Sequence, residues 1–347
     1  MVRVIGIDPG TKSFDLCGLD DEKIILDVSI STKDINKDPA LISNIILETE
    51  VDLVVGPSGF GIPVTNIKDI GERELFLMSL IKKDDKKSLL GLRASIKQMQ
   101  NNKLPVFFIP GVIHLPTVPS YRKLNRIDMG TADKLCCAAL GIRDQASRYN
   151  IGYNETSFIL LEMGFGYTAA IAVQNGKIVD GIGGSTGNIG FLSLGGMDSE
   201  LAYLLGGFNK ELVFKGGVEK LTGSPENLMQ NKDALNAYLE SAIKDVLQLT
   251  ASVDTRGILI SGRISRVEGI FDEMKRRIDF AKVRKLEGFG TKTVKEAAQG
   301  AAIIANGLAG GSYSQLIETM QIRKARGTSL DHILLPEIEI IRKDYNI

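Results

Sequence analysis

The segment Asp8–Ser13, Asp-Pro-Gly-Thr-Lys-Ser, has the residue types and spacing of a phosphate-binding turn between two apolar runs. Gly10 can adopt backbone angles that place successive amide N–H groups around an anion, and Thr11 and Ser13 add hydroxyl donors. Asp8, at the end of a buried strand, can hold a hydrated Mg²⁺ that masks phosphate charge. Taken alone, the segment also fits a solvated Asp-Pro-Gly hairpin turn.

A second glycine turn occupies the equivalent place in the second half of the chain. The segment Glu162–Thr168 contains Gly164 and Gly166 at the first hairpin of its unit. One Gly-x-Gly turn is weak evidence. Two such hairpins that face each other across a cleft can hold one polyphosphate from both sides, and their equivalent positions favour that interpretation.

The hydrophobic pattern predicts that both halves share the element order β-β-β-α-β-α-β-α. Apolar runs predict three strands in antiparallel meander at the start of each half, over Met1–Ile7, Phe14–Leu19, Lys23–Ile30 and over Ser157–Met163, Tyr167–Gln174, Lys177–Ile182. Helices over Thr131–Arg148 and Thr293–Leu308 close the halves. This repeat indicates a duplicated fold with a ligand between its halves.

The composition is that of a globular protein without a polyanionic partner. The 347 residues carry 42 Lys+Arg and 42 Asp+Glu, so nothing points to nucleic acid or to an anionic membrane. Three cysteines, none in C-x-x-C spacing, and no apparent secretory signal or membrane span predict a cytoplasmic protein. With only two histidines, a histidine-rich metal site is excluded.

Four segments in order resemble the acetate and sugar kinase, Hsp70 and actin superfamily. Val4–Ser13 and Leu161–Thr168 resemble its two phosphate motifs, Gly257–Arg263 its adenosine motif, and Ala297–Ala302 the small-residue helix that connects its domains. The resemblance implies an α/β fold of two duplicated ribonuclease H-like (actin-like ATPase) domains. Each domain is a mixed five-stranded sheet flanked by helices, with a nucleotide cleft between the two.

The same resemblance implies ATP and Mg²⁺ as cofactors and assigns residues to them. Asp8 is the expected metal ligand and first catalytic residue; the expected nucleotide contacts are Gly10, Thr11, Lys12, Ser13, Gly164, Gly166, Thr168, Gly262 and Arg263. The expected division is an N-terminal domain at 1–150, a C-terminal domain at 151–311 and a helical tail at 312–347. The tail can pack on either domain or form a homodimer.

Within the superfamily, the chain is most similar to acetate and butyrate kinases. The segments Asn175–Asp180 and Gly187–Ser193 resemble the stretch that follows the second phosphate motif of butyrate kinases. An archaeal family of unknown function, labelled as a predicted butyrate kinase, begins in the same way. The resemblance therefore implies a small-molecule acceptor, with short-chain carboxylates among the candidates.

The region that should carry the acceptor chemistry departs from the acyl kinases. These enzymes use a histidine that Arg122–Lys134 lacks, and Gly130–Lys134 instead resembles the G-A-D-R segment of type III pantothenate kinases with one residue inserted. A hydroxyl acceptor needs a carboxylate, for which Asp128 and Asp133 are candidates. A carboxylate acceptor needs a cation such as Arg126. Helix capping by Asp133 and a solvated basic run stay open as alternatives.

The sequence thus predicts an ATP- and Mg²⁺-dependent phosphotransferase for a small molecule. The alternative is a nucleotide-binding regulatory ATPase of the actin or chaperone type, without a small-molecule acceptor. Acceptor-dependent release of ADP would distinguish the two.

Overall fold

The first sheet is built on an antiparallel meander. In the computed structural model, which describes residues 1–10, 12–82, 90–255 and 257–347, strands β1 (Arg3–Pro9), β2 (Ser13–Asp20) and β3 (Lys23–Ser31) pair in sequence order. The register places Asp8 opposite Asp15. The buried Asp8 therefore ends β1 beside the turn to β2, as the pattern predicts.

Strands β4 (Leu53–Val55) and β6 (Val106–Phe108) extend this sheet in parallel, and β5 (Thr65–Asn66) pairs antiparallel with β6, which gives the order β3-β2-β1-β4-β6-β5. The remaining elements of the first half, in chain order, are α1 (Thr32–Lys37), α2 (Leu41–Thr49), α3 (Glu72–Ser79), α4 (Leu90–Asn101), α5 (Ser120–Lys123) and α6 (Ala132–Tyr149).

The second half repeats this topology. Its elements are β7 (Phe158–Met163), β8 (Thr168–Gln174), β9 (Lys177–Ile182), α7 (Ser199–Leu205), α8 (Glu219–Thr222), α9 (Lys232–Leu249), β10 (Gly257–Ser261), α10 (Ile270–Arg277), β11 (Lys282–Lys285) and α11 (Glu296–Leu308). Their sheet has the order β11-β10-β7-β8-β9. The predicted duplicated α/β fold with two mixed sheets is confirmed.

Two details differ from the expectation. The first sheet has a sixth strand, β5, whose two residues are too few to give a periodic pattern. Helix α11 begins at Glu296 rather than Thr293, because the Asp27 carboxylate accepts hydrogen bonds from the backbone N–H groups of Lys292 (2.6 Å), Thr293 and Val294 (2.8 Å). That carboxylate, distant in sequence, binds the backbone of the residues before the helix, which lie in a bend.

Each half contributes its last helix to the sheet of the other half. Helix α11 packs on β1, β2 and β4 of the first sheet, and α6 packs on β7 and β8 of the second, while the two helices run against each other. Glycines permit these approaches: a Cβ on Gly6 would lie 2.1 Å from the Ala302 nitrogen, and one on Gly300 would lie 1.9 Å from the Cys136 carbonyl oxygen. The two halves therefore share one core.

The last residues of the chain pack on both halves of the molecule. Helix α12 (Ser314–Met320) packs against α6 of the first half and against α11 and β9 of the second. Leu330 and Ile338 are buried beside the first sheet, and α13 (Ile338–Tyr345) stacks the Tyr345 ring on Phe76 at 3.5 Å between centroids. Within the described ranges, no helix combines the length and apolar character that a membrane crossing needs.

Because backbone atoms occupy the space beside Gly6 and Gly300, we expect Gly6→Ala and Gly300→Ala to lower the free energy of unfolding by about 1–3 kcal/mol or more. A Cβ on Gly207 would meet no other atom within 4 Å, so Gly207→Ala is the matched control. It should change the free energy of unfolding by less than about 0.5 kcal/mol. Urea unfolding followed by circular dichroism measures all three. Equal stability of Gly6→Ala and the control would contradict this packing.

Candidate active site

A cleft of about 1160 Å³ opens where both glycine turns meet. The β1–β2 turn contributes Gly10 and Lys12, and the β7–β8 turn contributes Gly164 and Gly166. The Lys12 ammonium lies 3.8 Å from the centroid of the Phe165 ring, so the two turns face each other across the opening. This is the arrangement that the paired motifs predict.

One wall of the cleft carries a lysine between two carboxylates. Lys295 Nζ lies 3.1 Å from Asp8 Oδ2 and 3.2 Å from Asp15 Oδ2, and Asp15 is fully buried. Ser13 and Ser29 donate to the other oxygen of Asp15. Burial would lower the pKa of Lys295, but the two carboxylates raise it, so the ammonium stays charged.

The second charged cluster mirrors the first. Lys134 Nζ lies 2.7 Å from Asp133 Oδ2 and 2.7 Å from Glu162 Oε2, while Thr131 donates to the other Asp133 oxygen. Burial would raise the pKa of Asp133, but the Lys134 ammonium and the hydrogen bonds from Lys134 and Thr131 outweigh burial and lower it. For Glu162, burial dominates and raises the pKa.

The two clusters occupy equivalent places in the duplicated fold. Asp8 lies near the end of β1 and Glu162 near the end of β7, the first strands of their sheets. The lysine that contacts each carboxylate comes from the last helix of the other half or from its start. Lys295 directly precedes α11, and Lys134 lies in the first turn of α6. The exchanged helices thus bring charges from both halves into one cleft.

Asp8 has the properties of a ligand for a cation shared with phosphate. Its Oδ1 atom has no hydrogen-bond partner in the part of the chain that the structure describes, and the side chain lines the cleft. Burial raises the pKa of Asp8 more than Lys295 lowers it, so its negative charge is incompletely balanced. The described residues contain no group of three acidic, histidine or cysteine ligands. Mg²⁺ needs none, since one or two carboxylates and substrate phosphates suffice.

The end of β10 forms a further wall of the cleft. Gly262 follows this strand with φ +94°, a conformation that side chains with a Cβ rarely adopt, and a Cβ there would lie 2.5 Å from the Met163 carbonyl group. Gly262 and Arg263 line the cleft beside the β7–β8 turn. A flat nucleoside can approach the backbone closely at Gly262, because glycine has no side chain.

Asp128 lines the cleft but uses its carboxylate to hold a loop. Its Oδ1 accepts from the Gly130 N–H (3.0 Å), and its Oδ2 accepts from the N–H and hydroxyl of Ser185 (3.1 and 3.0 Å). The Thr186 hydroxyl donates to the Asp128 backbone carbonyl. The structure thus gives Asp128, for which the sequence predicts a proton acceptor, a loop-anchoring contact, whereas Asp133, which also lines the cleft, pairs with Lys134 and Thr131.

Three other expected site residues do not offer their side chains to the cleft. The Ser13 hydroxyl donates to Asp15, and the Thr168 hydroxyl donates to buried Tyr238 (3.2 Å). Arg126 is exposed and does not line the cleft. Thr11, the fourth residue of the first phosphate turn, lies outside the described residues.

Sequence reasoning missed Lys295, Lys134, Asp15 and Glu162 as site residues. A signal existed for Asp15, because an aspartate in the middle of the apolar run Phe14–Leu19 is unusual for a buried strand. Glu162 opens the second phosphate motif, and its place parallels that of Asp8. Neither lysine could be assigned without knowing which sheet its helix crosses.

Part of the cleft lining is apolar. Ile127, Leu330 and Ile333 belong to it, together with the stacked rings of Phe76 and Tyr345, and we call these five residues the apolar lobe. The first half and the last residues of the chain therefore contribute to it jointly. It can contact the apolar part of a small molecule bound in the cleft.

Removing the lysine between Asp8 and Asp15 leaves two buried carboxylates without their counter-charge. We expect Lys295→Met to lower the free energy of unfolding by about 3–5 kcal/mol. The Asp15→Asn/Lys295→Met double variant should lose clearly less, because Asp8 is then the one carboxylate of this cluster left without a counter-charge. Urea unfolding measures the free energy of unfolding of both variants. Lys97→Met, on the exposed surface of α4, is the control. A double variant as unstable as Lys295→Met would contradict the pairing.

Solved structures of acyl kinases share this fold. A propionate kinase from Francisella tularensis subsp. tularensis is 16% identical, with 86% of this chain and 99% of that chain covered and a TM-score of 0.60. Acetate kinases from Entamoeba histolytica (80% and 86% covered) and Porphyromonas gingivalis (81% and 88%) are each 13% identical, with a TM-score of 0.55. At these identities the likeness shows the duplicated kinase-type fold.

Sequence comparison gives the family but no characterised relative. No curated protein matches the chain. The sequence profile of a family described as "Protein of unknown function (DUF1464)" matches residues 6–335, which includes both phosphate turns, both exchanged helices and the start of the last segment. The chain therefore belongs to the DUF1464 family of proteins of unknown function.

Proposed function

We propose that this chain is an ATP- and Mg²⁺-dependent phosphotransferase that acts on a small-molecule acceptor. The observation that carries the proposal is the meeting of two glycine turns over two lysine–carboxylate clusters in one cleft. Backbone N–H groups and ammonium groups stabilise the negative charge on a transferring phosphoryl group, which is the main requirement of this reaction.

Each group has a place in this reaction. Asp8 would hold Mg²⁺, whose charge offsets that of the phosphates, and Lys295 keeps the Asp8 carboxylate oriented. The two turns would contact the phosphates from opposite sides, and the wall at Gly262–Arg263 would contact the nucleoside. Lys134, held by Asp133 and Glu162, would face the transferred group. Movement of the two sheets toward each other would exclude water, which otherwise competes with the acceptor.

For the acceptor, we propose a short-chain carboxylate whose apolar chain enters the apolar lobe. The lobe gives apolar surface in the cleft that Asp133 and Lys134 also line, and the similarity to acetate and propionate kinases supports an acyl acceptor. The carboxylate would be held by Lys134, since Arg126 lies outside the cleft lining. A small alcohol is the competing acceptor, because an ionised Asp133 in the cleft lining would accept a hydroxyl proton.

A regulatory ATPase is the second candidate, and the exposed segment around α7 favours it. Tyr203 and Leu204 are 81% and 78% exposed, which is unusual for adjacent large apolar residues and is typical of surfaces that contact a partner. Acceptor-independent ATP hydrolysis together with a copurifying protein would support this candidate over the kinase.

The role of Asp8 predicts a metal-dependent loss of affinity. We expect Asp8→Asn to weaken binding of Mg²⁺-ATP about tenfold or more in calorimetry, while metal-free ATP binds no more weakly than to the wild type. Asp254→Asn on the exposed surface is the control. Lys295 keeps its contact with Asp15, so the variant should remain folded. Unchanged Mg²⁺-ATP affinity in Asp8→Asn, or no ATP binding by the wild type, would refute the proposal.

Acceptor chemistry predicts how Asp133→Asn behaves. A screen of short-chain carboxylates and small alcohols should find acceptor-dependent ADP release. With a carboxylate, which has no proton to lose, we expect kcat of Asp133→Asn to fall less than about tenfold. With an alcohol, the fall should be about 10²–10⁴-fold, as for loss of a general base. No acceptor-dependent release with any compound would leave the regulatory ATPase as the better account.

A further inference from the structure

A second cavity lies outside the cleft and contains both histidines of the chain. It measures about 420 Å³ and is lined by His114, Pro116, Lys123, Lys324, Arg326, Gly327, Asp331 and His332. We call it the two-histidine cavity. None of these residues lines the cleft, so the two sites are separate.

The two-histidine cavity has an excess of positive charge. Lys123, Lys324 and Arg326 face one carboxylate, that of Asp331, which gives a formal charge of +2 with both histidines neutral. Thr328 already donates to both Asp331 oxygens, from its N–H (2.8 Å) and its hydroxyl (2.7 Å). Among the described residues, no carboxylate lies within ion-pair distance of the three cations.

The burial of Lys123 distinguishes this cavity from an ordinary solvated basic patch. The residue is only 7% exposed, and its ammonium donates to the Leu115 backbone carbonyl at 2.8 Å. Burial of an ammonium without a counter-charge is costly, and here burial lowers the pKa of Lys123. An anion in the cavity would supply the missing charge and bring the exposed cations Lys324 and Arg326 into contact with it.

We propose that the two-histidine cavity is a binding site for a phosphate-type anion, held by Lys123, Lys324 and Arg326. Ammonium and guanidinium donors form strong charge-assisted hydrogen bonds to phosphate oxygens, and neutral imidazoles add further donors. The anion is either free phosphate or the phosphoryl group of a small metabolite, which share this chemistry.

The site adjoins the wall of the cleft through one short segment. Asp331 and His332 line the two-histidine cavity, whereas their neighbours Leu330 and Ile333 line the apolar lobe. The segment is tied to Asn125, whose N–H donates to the His332 carbonyl (2.9 Å) and whose side chain accepts from the Leu334 N–H (2.8 Å). An anion bound in the cavity would therefore contact Asp331 and His332, which lie between the two residues of this segment that belong to the apolar lobe.

The histidines provide a direct test by NMR. Because the chain has only two, its histidine Cε1–Hε1 spectrum should contain two signals, both from this cavity. We expect titration of the full-length protein with inorganic phosphate to shift both signals saturably. Phosphate bound only in the cleft would move neither, and that outcome would overturn the proposal. The readout needs no phosphotransfer, so it is independent of the proposed function.

Substitutions and competing anions sharpen the test. Lys324→Gln and Arg326→Gln, both at exposed positions, should weaken phosphate binding about tenfold or more, and Lys123→Met should do the same. Lys97→Gln on α4 is the control and should bind like the wild type. Tighter binding of glycerol phosphate than of phosphate would identify a phosphorylated metabolite as the source. Equal shifts with acetate at the same ionic strength, or wild-type affinity in Arg326→Gln, would overturn the site.

Discussion

The structure depends on the close contact between α6 and α11, each of which packs on the sheet of the other half. Such contact is possible because residues without side chains lie where backbones meet, as at Gly6 beside Ala302 and Gly300 beside Cys136. Interiors are close-packed, so even one methyl group at these points must displace backbone. The two halves consequently share a core, and the cleft between them has a floor made by both.

The same exchange determines the electrostatics of the cleft. Asp8 and Glu162 end the first strands of the two sheets, and the lysine that meets each arrives on a helix of the opposite half. Asp15 and Asp133 complete the clusters, so four carboxylates surround two ammonium groups. The remaining negative charge favours a divalent cation, while the ammonium groups and the amide-rich turns favour phosphate. A duplicated fold thereby produces a site that neither half contains alone.

The last segment of the chain has two faces with different chemistry. Leu330, Ile333 and Tyr345 give apolar surface to the cleft, whereas Asp331 and His332 belong to the two-histidine cavity. A turn accounts for this division: residues 329–332 are in turn conformation, and the Ile333 N–H donates to the Leu330 carbonyl, so Leu330 and Ile333 lie on the cleft side of the turn and Asp331 and His332 on the other. The tail is thus part of the cleft lining in addition to its packing on the two halves.

The sequence by itself determined the strands other than β5, the duplicated order of elements and the two glycine turns, because these follow from local hydrophobic periodicity and turn chemistry. It also identified Asp8, Gly262 and Asp133 as cleft residues. Only the tertiary structure decided that Lys295 and Lys134 cross to the opposite sheet, that Asp128 holds a loop, and that Arg126 stays outside. These outcomes depend on contacts between residues distant in sequence, such as Asp27 with Thr293, which no local pattern encodes.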